Sequence, residues 1–118
     1  MKSHLLLLAV LAAPLLAGGC GRKSGPAVGA ADTQAFDKAP PEVKQVWDRA
    51  LEADRTNGYV VAQKLLYGLS QQPLSPGQKD AVSNATAAIS KRMYGAADKG
   101  DAAALDAIRE LRRNPPNR

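Results

Sequence analysis

Apolar residues along this chain follow two regimes: an unbroken run near the start, and a three-and-four spacing that begins after position 40. Residues 5–16 are apolar throughout, with Pro14 as the one interruption. From 21 to 40 no apolar period is sustained, Gly, Ala and Pro dominate, and the one large apolar residue, Phe36, is expected to dock on the domain rather than stand isolated. The spacing then predicts a helix from Pro41 to the break at Asn57-Gly58, with Val43, Val46, Trp47, Ala50 and Leu51 on one face. Pro41 suits the first helical position, where its missing N–H costs nothing. Lys44 and Asp48, four apart on the other face, form a weak pair. A second helix runs from Tyr59 to about Gln71, with Ala62, Leu65, Leu66 and Leu69 inward, and Pro73 ends it.

Ser75-Pro76-Gly77-Gln78 is a helix-start signal, with a capping serine and a glutamine that reaches back from the third position. The third helix carries Val82, Ala85, Ile89 and Met93 to Asp98. Lys99-Gly100 breaks it, and Asp101 caps a fourth helix with Leu105, Ile108 and Leu111, which stops at Asn114-Pro115-Pro116. No alternating run bounded by hairpin signals occurs, so no sheet is expected. The fold class is therefore all-α: about four helices as two helical hairpins after a disordered N-terminal linker. The two hairpins repeat at an offset of 42, pairing Trp47 with Ile89, Gly58 with Gly100, Ala62 with Ala104, Leu66 with Ile108 and Pro73 with Pro115.

Charge and chemistry refine this outline. Residues 5–16 are too short for a spanning helix, which needs about 20 apolar residues. Behind Lys2 and ahead of Ala17-Gly18-Gly19-Cys20 they have the layout of a secretory leader. The only histidine, His4, lies in that leader, and Cys20 is the only cysteine. Without Lys2 the chain has 15 basic and 11 acidic side chains. Four of the basic ones, Arg109, Arg112, Arg113 and Arg118, fall in the last ten residues. Such an end suits an anionic surface, or simply complements a helix C-terminus. Nucleic acid is not an expected partner, because a base-stacking platform needs more aromatics than one tryptophan, one phenylalanine and three tyrosines.

With the leader removed no histidine remains, so histidine-dependent triads and the usual zinc sets are excluded. No phosphate loop or dinucleotide fingerprint is present. The carboxylates Asp48, Glu52, Asp54, Asp98, Asp101, Asp106 and Glu110 read as helix faces and caps. The sequence points to no enzyme, cofactor, metal or small-molecule substrate.

The segment ending at Cys20 resembles the lipobox of bacterial lipoproteins, with the small Gly19 before the cysteine and leucine at Leu16, one place ahead of its usual position, which Ala17 holds. The resemblance implies cleavage before Cys20 and a lipidated thiol carrying diacylglycerol and, after full processing, palmitate-like acyl chains. Two or three chains hold a protein firmly on a membrane. Ala17 and Gly19 also suit ordinary signal peptidase, which would leave a free thiol. Gly21, where an inner-membrane retention signal has aspartate, implies the periplasmic face of the outer membrane. The expected division is 1–19 leader, 20–40 lipidated cysteine and flexible tether, 41–113 helical domain and 114–118 basic tail. Twenty flexible residues reach roughly 25 Å root-mean-square.

The hairpin at Asn57-Gly58-Tyr59 resembles a tetratricopeptide repeat in Gly58, Tyr59, Ala62, Leu66 and Pro73, over one unit of about 34 residues. The implied class is a helical scaffold that binds a protein partner. A two-hairpin domain rich in alanine has little core of its own, so an apolar groove between the hairpins is expected to take a partner helix or a second copy. Trp47, Tyr59, Tyr67 and Tyr94 are the expected contact residues if exposed. The alternative role is surface-structural, with the arginine-rich end resting on anionic lipid or cell-wall polymer.

Overall fold

The computed structural model describes residues 28–117, and every regular element among them is helical. The order is α1 Ala30–Gln34, α2 Pro41–Arg55, α3 Tyr59–Ser70, α4 Pro76–Asp98 and α5 Ala102–Arg113. The leader, Cys20 and Arg118 lie outside the described residues. α2 and α3 form one antiparallel hairpin, and α4 and α5 form the other. α3 runs antiparallel to α4 and also touches α5, while α1 packs on α4.

The segment from 28 to 40 departs from the expected flexible tether. It holds the fifth helix, α1, and contributes Val28 and Phe36 to the core. Phe36 is 0% exposed and stacks on Trp47, with ring centroids 4.3 Å apart and planes 14° from parallel. Burial of Phe36 and Val28 opposes the entropy cost of ordering this segment, and Ala30 and Ala31 are good helix formers. Two contacts fix this segment on α4: Asn84 Nδ2 donates to Asp32 Oδ1 at 3.2 Å, and Gln78 Nε2 donates to the Ala35 carbonyl at 3.2 Å.

The start of α4 matches its sequence signal. Gln78 N–H donates to Ser75 Oγ at 3.2 Å and Ser75 N–H donates to Gln78 Oε1 at 3.0 Å, a reciprocal cap. Ser75→Ala is expected to cost about 1 kcal/mol, read as a lower urea midpoint with an unchanged slope. Asp101 caps α5 by accepting from Ala104 N–H at 2.9 Å. The Lys44–Asp48 pair forms at 2.9 Å on an exposed face, where such pairs contribute little.

The two interhelical turns share a backbone motif but not a register. In the first, Asn57 N–H donates to Asp54 O at 3.1 Å and Gly58 N–H to Ala53 O at 2.7 Å. In the second, Gly100 N–H donates to Ala97 O at 2.9 Å and Asp101 N–H to Ala96 O at 3.1 Å. Both are Schellman closures, and the left-handed residue is Asn57 (φ 60°) in one and Gly100 (φ 84°) in the other. Gly58 and Gly100, paired at an offset of 42, therefore play different parts. Gly100 supplies the positive φ, whereas Gly58 precedes α3 with φ −78°. A Cβ on Gly58 would lie 3.1 Å from the Ala53 carbonyl oxygen. The core keeps the offset of 42 all the same: Trp47 and Ile89, Ala62 and Ala104, and Leu66 and Ile108 are all buried.

α5 is rotated slightly from the expected stripe. Ala104, Ala107 and Ile108 are buried, while Leu105 faces outward. The small alanines let this short helix approach α4 closely, so the alanine side is packed inward.

Candidate functional site

The hairpins meet along the seam between α3 and α4. Near the Pro73 end of α3 this seam opens into a groove of about 510 Å³, whose walls include Leu66, Tyr67, Leu74, Lys79, Val82 and Pro116. Leu66, Leu74 and Val82 form an apolar floor that is otherwise buried. Pro116 brings the segment after α5 back across the groove. A second, smaller groove of about 290 Å³ separates α2 from α3 and includes Val43, Val46, Leu65 and Leu69.

Along the same seam the lining turns polar, beginning with Gln63 and Thr86 in the wall of the groove itself. Gln63 is buried, and its Nε2 donates to Ser90 Oγ at 2.8 Å and to the Thr86 carbonyl at 3.4 Å. Arg92 of α4 reaches the end of α2. One guanidinium nitrogen donates to the Asp54 carbonyl at 2.8 Å and also pairs with the Asp54 carboxylate. The same guanidinium lies 5.4 Å from the centre of the Tyr59 ring, within the range of a cation–π contact. The cluster joins α2, α3 and α4 at one point.

Asp54 is only 4% exposed. Burial pushes its carboxyl above the ordinary carboxylate value, and the Arg92 charge and hydrogen bond only partly oppose the shift. The folded state therefore holds this proton more tightly than the unfolded chain does. The stabilising contribution is full below the unfolded pKa and is lost as pH rises through the folded one. Urea titrations of the protein and of Asp54→Asn at a series of pH values test this. The stability difference between them is expected to move in favour of the parent as pH falls toward the ordinary carboxylate range.

The residues expected to bind a partner divide. Trp47 is 0% exposed and Tyr59 is 4% exposed, so both are core residues, Trp47 against Phe36 and Tyr59 under Arg92. Their positions on the apolar stripes of α2 and α3 account for that. Tyr67 is half-buried in the wall of the larger groove. Tyr94 is 51% exposed on α4. Cys20 lies outside the described residues.

The basic end is partly neutralised. Arg109 pairs with Asp106 at 3.0 Å and Arg113 with Glu110 at 3.1 Å, both three residues apart on exposed turns of α5. Asn114 Nδ2 also donates to Glu110 Oε1 at 2.9 Å, and this bond with the Arg113 charge holds the Glu110 carboxyl below its ordinary value. Arg112 is exposed.

Neither Asp54 nor Arg92 stands out in the sequence as a site, yet each sits on an apolar stripe. Asp54 continues the series 43, 47, 50, and Arg92 lies between Ile89 and Met93. A charge on such a stripe is the signature of a buried pair. Among the described residues no group of histidine, cysteine, aspartate and glutamate is arranged to hold a metal ion, and no helix is long and apolar enough to cross a membrane. Searches against family models, curated proteins and solved structures returned no match to this chain.

Proposed function

We propose that the protein is a lipid-anchored component of a bacterial cell envelope whose helical domain binds a protein partner or a second copy of itself, without catalysis. The observation that carries this reading is the order of residues 1–20: Lys2, an apolar run of 12, three small residues and then the only cysteine. In this reading Cys20 is the lipidation site. The lipid replaces a spanning helix, and the outer membrane is the favoured site because Gly21 follows the cysteine. The binding half of the reading draws on the groove between α3 and α4. It has an apolar floor and a half-buried tyrosine at its edge, the surface that an amphipathic helix uses when it docks in a groove. Scaffolds of tetratricopeptide type work in this way.

The ion pairs on α5 weigh against a role based on its basic end, since two of its arginines already have carboxylate partners. The anchor is tested by replacing Cys20 with serine in the native host. The parent is expected in the membrane fraction with a mass increased by its acyl groups, and Cys20→Ser in the soluble envelope fraction without them. A parent protein with its leader removed and no added lipid mass would overturn the reading.

A further inference from the structure

The domain begins earlier than its composition implies, and this shortens the leash on which it would hang. Val28 is buried in the core, so only seven residues, 21–27, separate the domain from Cys20. Whatever their conformation, they span at most about 28 Å. α4 alone, at 23 residues, is about 34 Å long. A domain held this way stays close to the bilayer, and the place where Val28 joins it biases which face comes nearest.

The direction of α1 shows which face comes nearest. Asp32 meets Asn84, and Ala35 meets Gln78. α1 therefore runs antiparallel to α4, with its N-terminal end turned toward the C-terminal half of α4. Continuing the same track leads past Ala88 to Lys91, Gly95 and Lys99. Lys91, Gly95 and Lys99 are exposed, and Tyr94 beside them is the most exposed aromatic of the described residues. Neither lysine has an ion-pair partner among the described residues. The same face carries one carboxylate, the exposed Asp98, and stays basic by a single charge; a tyrosine between lysines is the composition that settles at a headgroup layer, with the ring at the boundary and the ammonium groups on phosphate.

We propose that the C-terminal half of α4, through Lys91, Tyr94 and Lys99, rests on the anionic headgroups of the membrane that holds the lipid anchor. This rests on the lipid-anchored reading above. It turns the groove near Pro73, at the opposite end of α4, away from the bilayer and toward a partner.

The test uses the full chain, purified with its acyl groups and placed in vesicles of phosphatidylethanolamine and phosphatidylglycerol. Cys20 is blocked by lipid, so a second cysteine takes a spin label alone. Three single variants serve: Gly95→Cys and Asp98→Cys on the proposed face, and Gln72→Cys at the far end, all at exposed positions. Relaxation by a nickel chelate fixed to headgroups is expected to be several-fold stronger at 95 and 98 than at 72. Equal relaxation at the three positions, or the reverse order, on acylated protein overturns the docking face and leaves the anchor standing. Protein that carries no lipid and stays off the vesicles removes both proposals together.

Discussion

Phe36→Ala is expected to leave a large part of the protein unfolded at ambient temperature. The ring is fully buried against Trp47, and truncating such a phenylalanine costs about 3–5 kcal/mol. Domains of this size have only about 5–15 kcal/mol in total. This one belongs at the low end, since six of its 17 buried apolar residues are alanines. The loss also frees α1, whose five residues have no side-chain cap. A chain beginning at Pro41 is expected to fail in the same way, so the boundary set by composition does not mark an independent unit. Urea unfolding followed by circular dichroism reads both. Trp47→Phe is the informative counterpart. The indole N–H of Trp47 is buried with no hydrogen-bond partner among the described residues, and its removal offsets part of the lost area. That variant is expected to lose less than about 1.5 kcal/mol.

The second large effect concerns the clasp between the hairpins. Arg92→Leu leaves the Asp54 carboxylate buried without a counter-charge, and breaking a buried pair from one side costs about 3–5 kcal/mol. The lower end is expected here, because the Arg92 side chain keeps 22% of its exposure and Asp54 can take up a proton. Arg92→Leu combined with Asp54→Leu is expected to recover most of the loss, since two apolar groups need no mutual charge. A full double-mutant cycle by urea titration measures the coupling. Additive losses would show that the pair acts only through packing.

The helices of residues 41–113 were legible because their ends carry local chemistry. Pro41, the Ser75–Gln78 box, Asp101 and the turn glycines act within a few residues of themselves, and the structure uses each of them as a terminus. What escaped was decided by distant partners. Phe36, the one large apolar residue of a Gly-Ala-Pro stretch, was legible as a side chain that docks on the domain, but its partner Trp47, eleven residues on, was not. Arg92 and Asp54 each interrupt an apolar stripe, but nothing local pairs two charges that lie 38 residues apart. The seam between the hairpins was legible as a groove, because two amphipathic hairpins of such small residues leave space where they meet. Its lining was not, since Leu74 and Pro116 come from outside the helices. Trp47 and Tyr59 were expected at a binding surface only if exposed, and neither is. In a core this short of large side chains, the aromatics are needed inside.

The first turn also bears on how this molecule ages. Asparagine followed by glycine is the dipeptide most prone to deamidate, because the glycine nitrogen attacks the asparagine side-chain carbonyl to close a succinimide. Here the Gly58 nitrogen already donates its hydrogen to the Ala53 carbonyl at 2.7 Å, and the Schellman closure fixes the dihedral angles that ring formation would have to change. Folded copies are thereby shielded, and deamidation at Asn57 is expected only in chains that have opened at this turn.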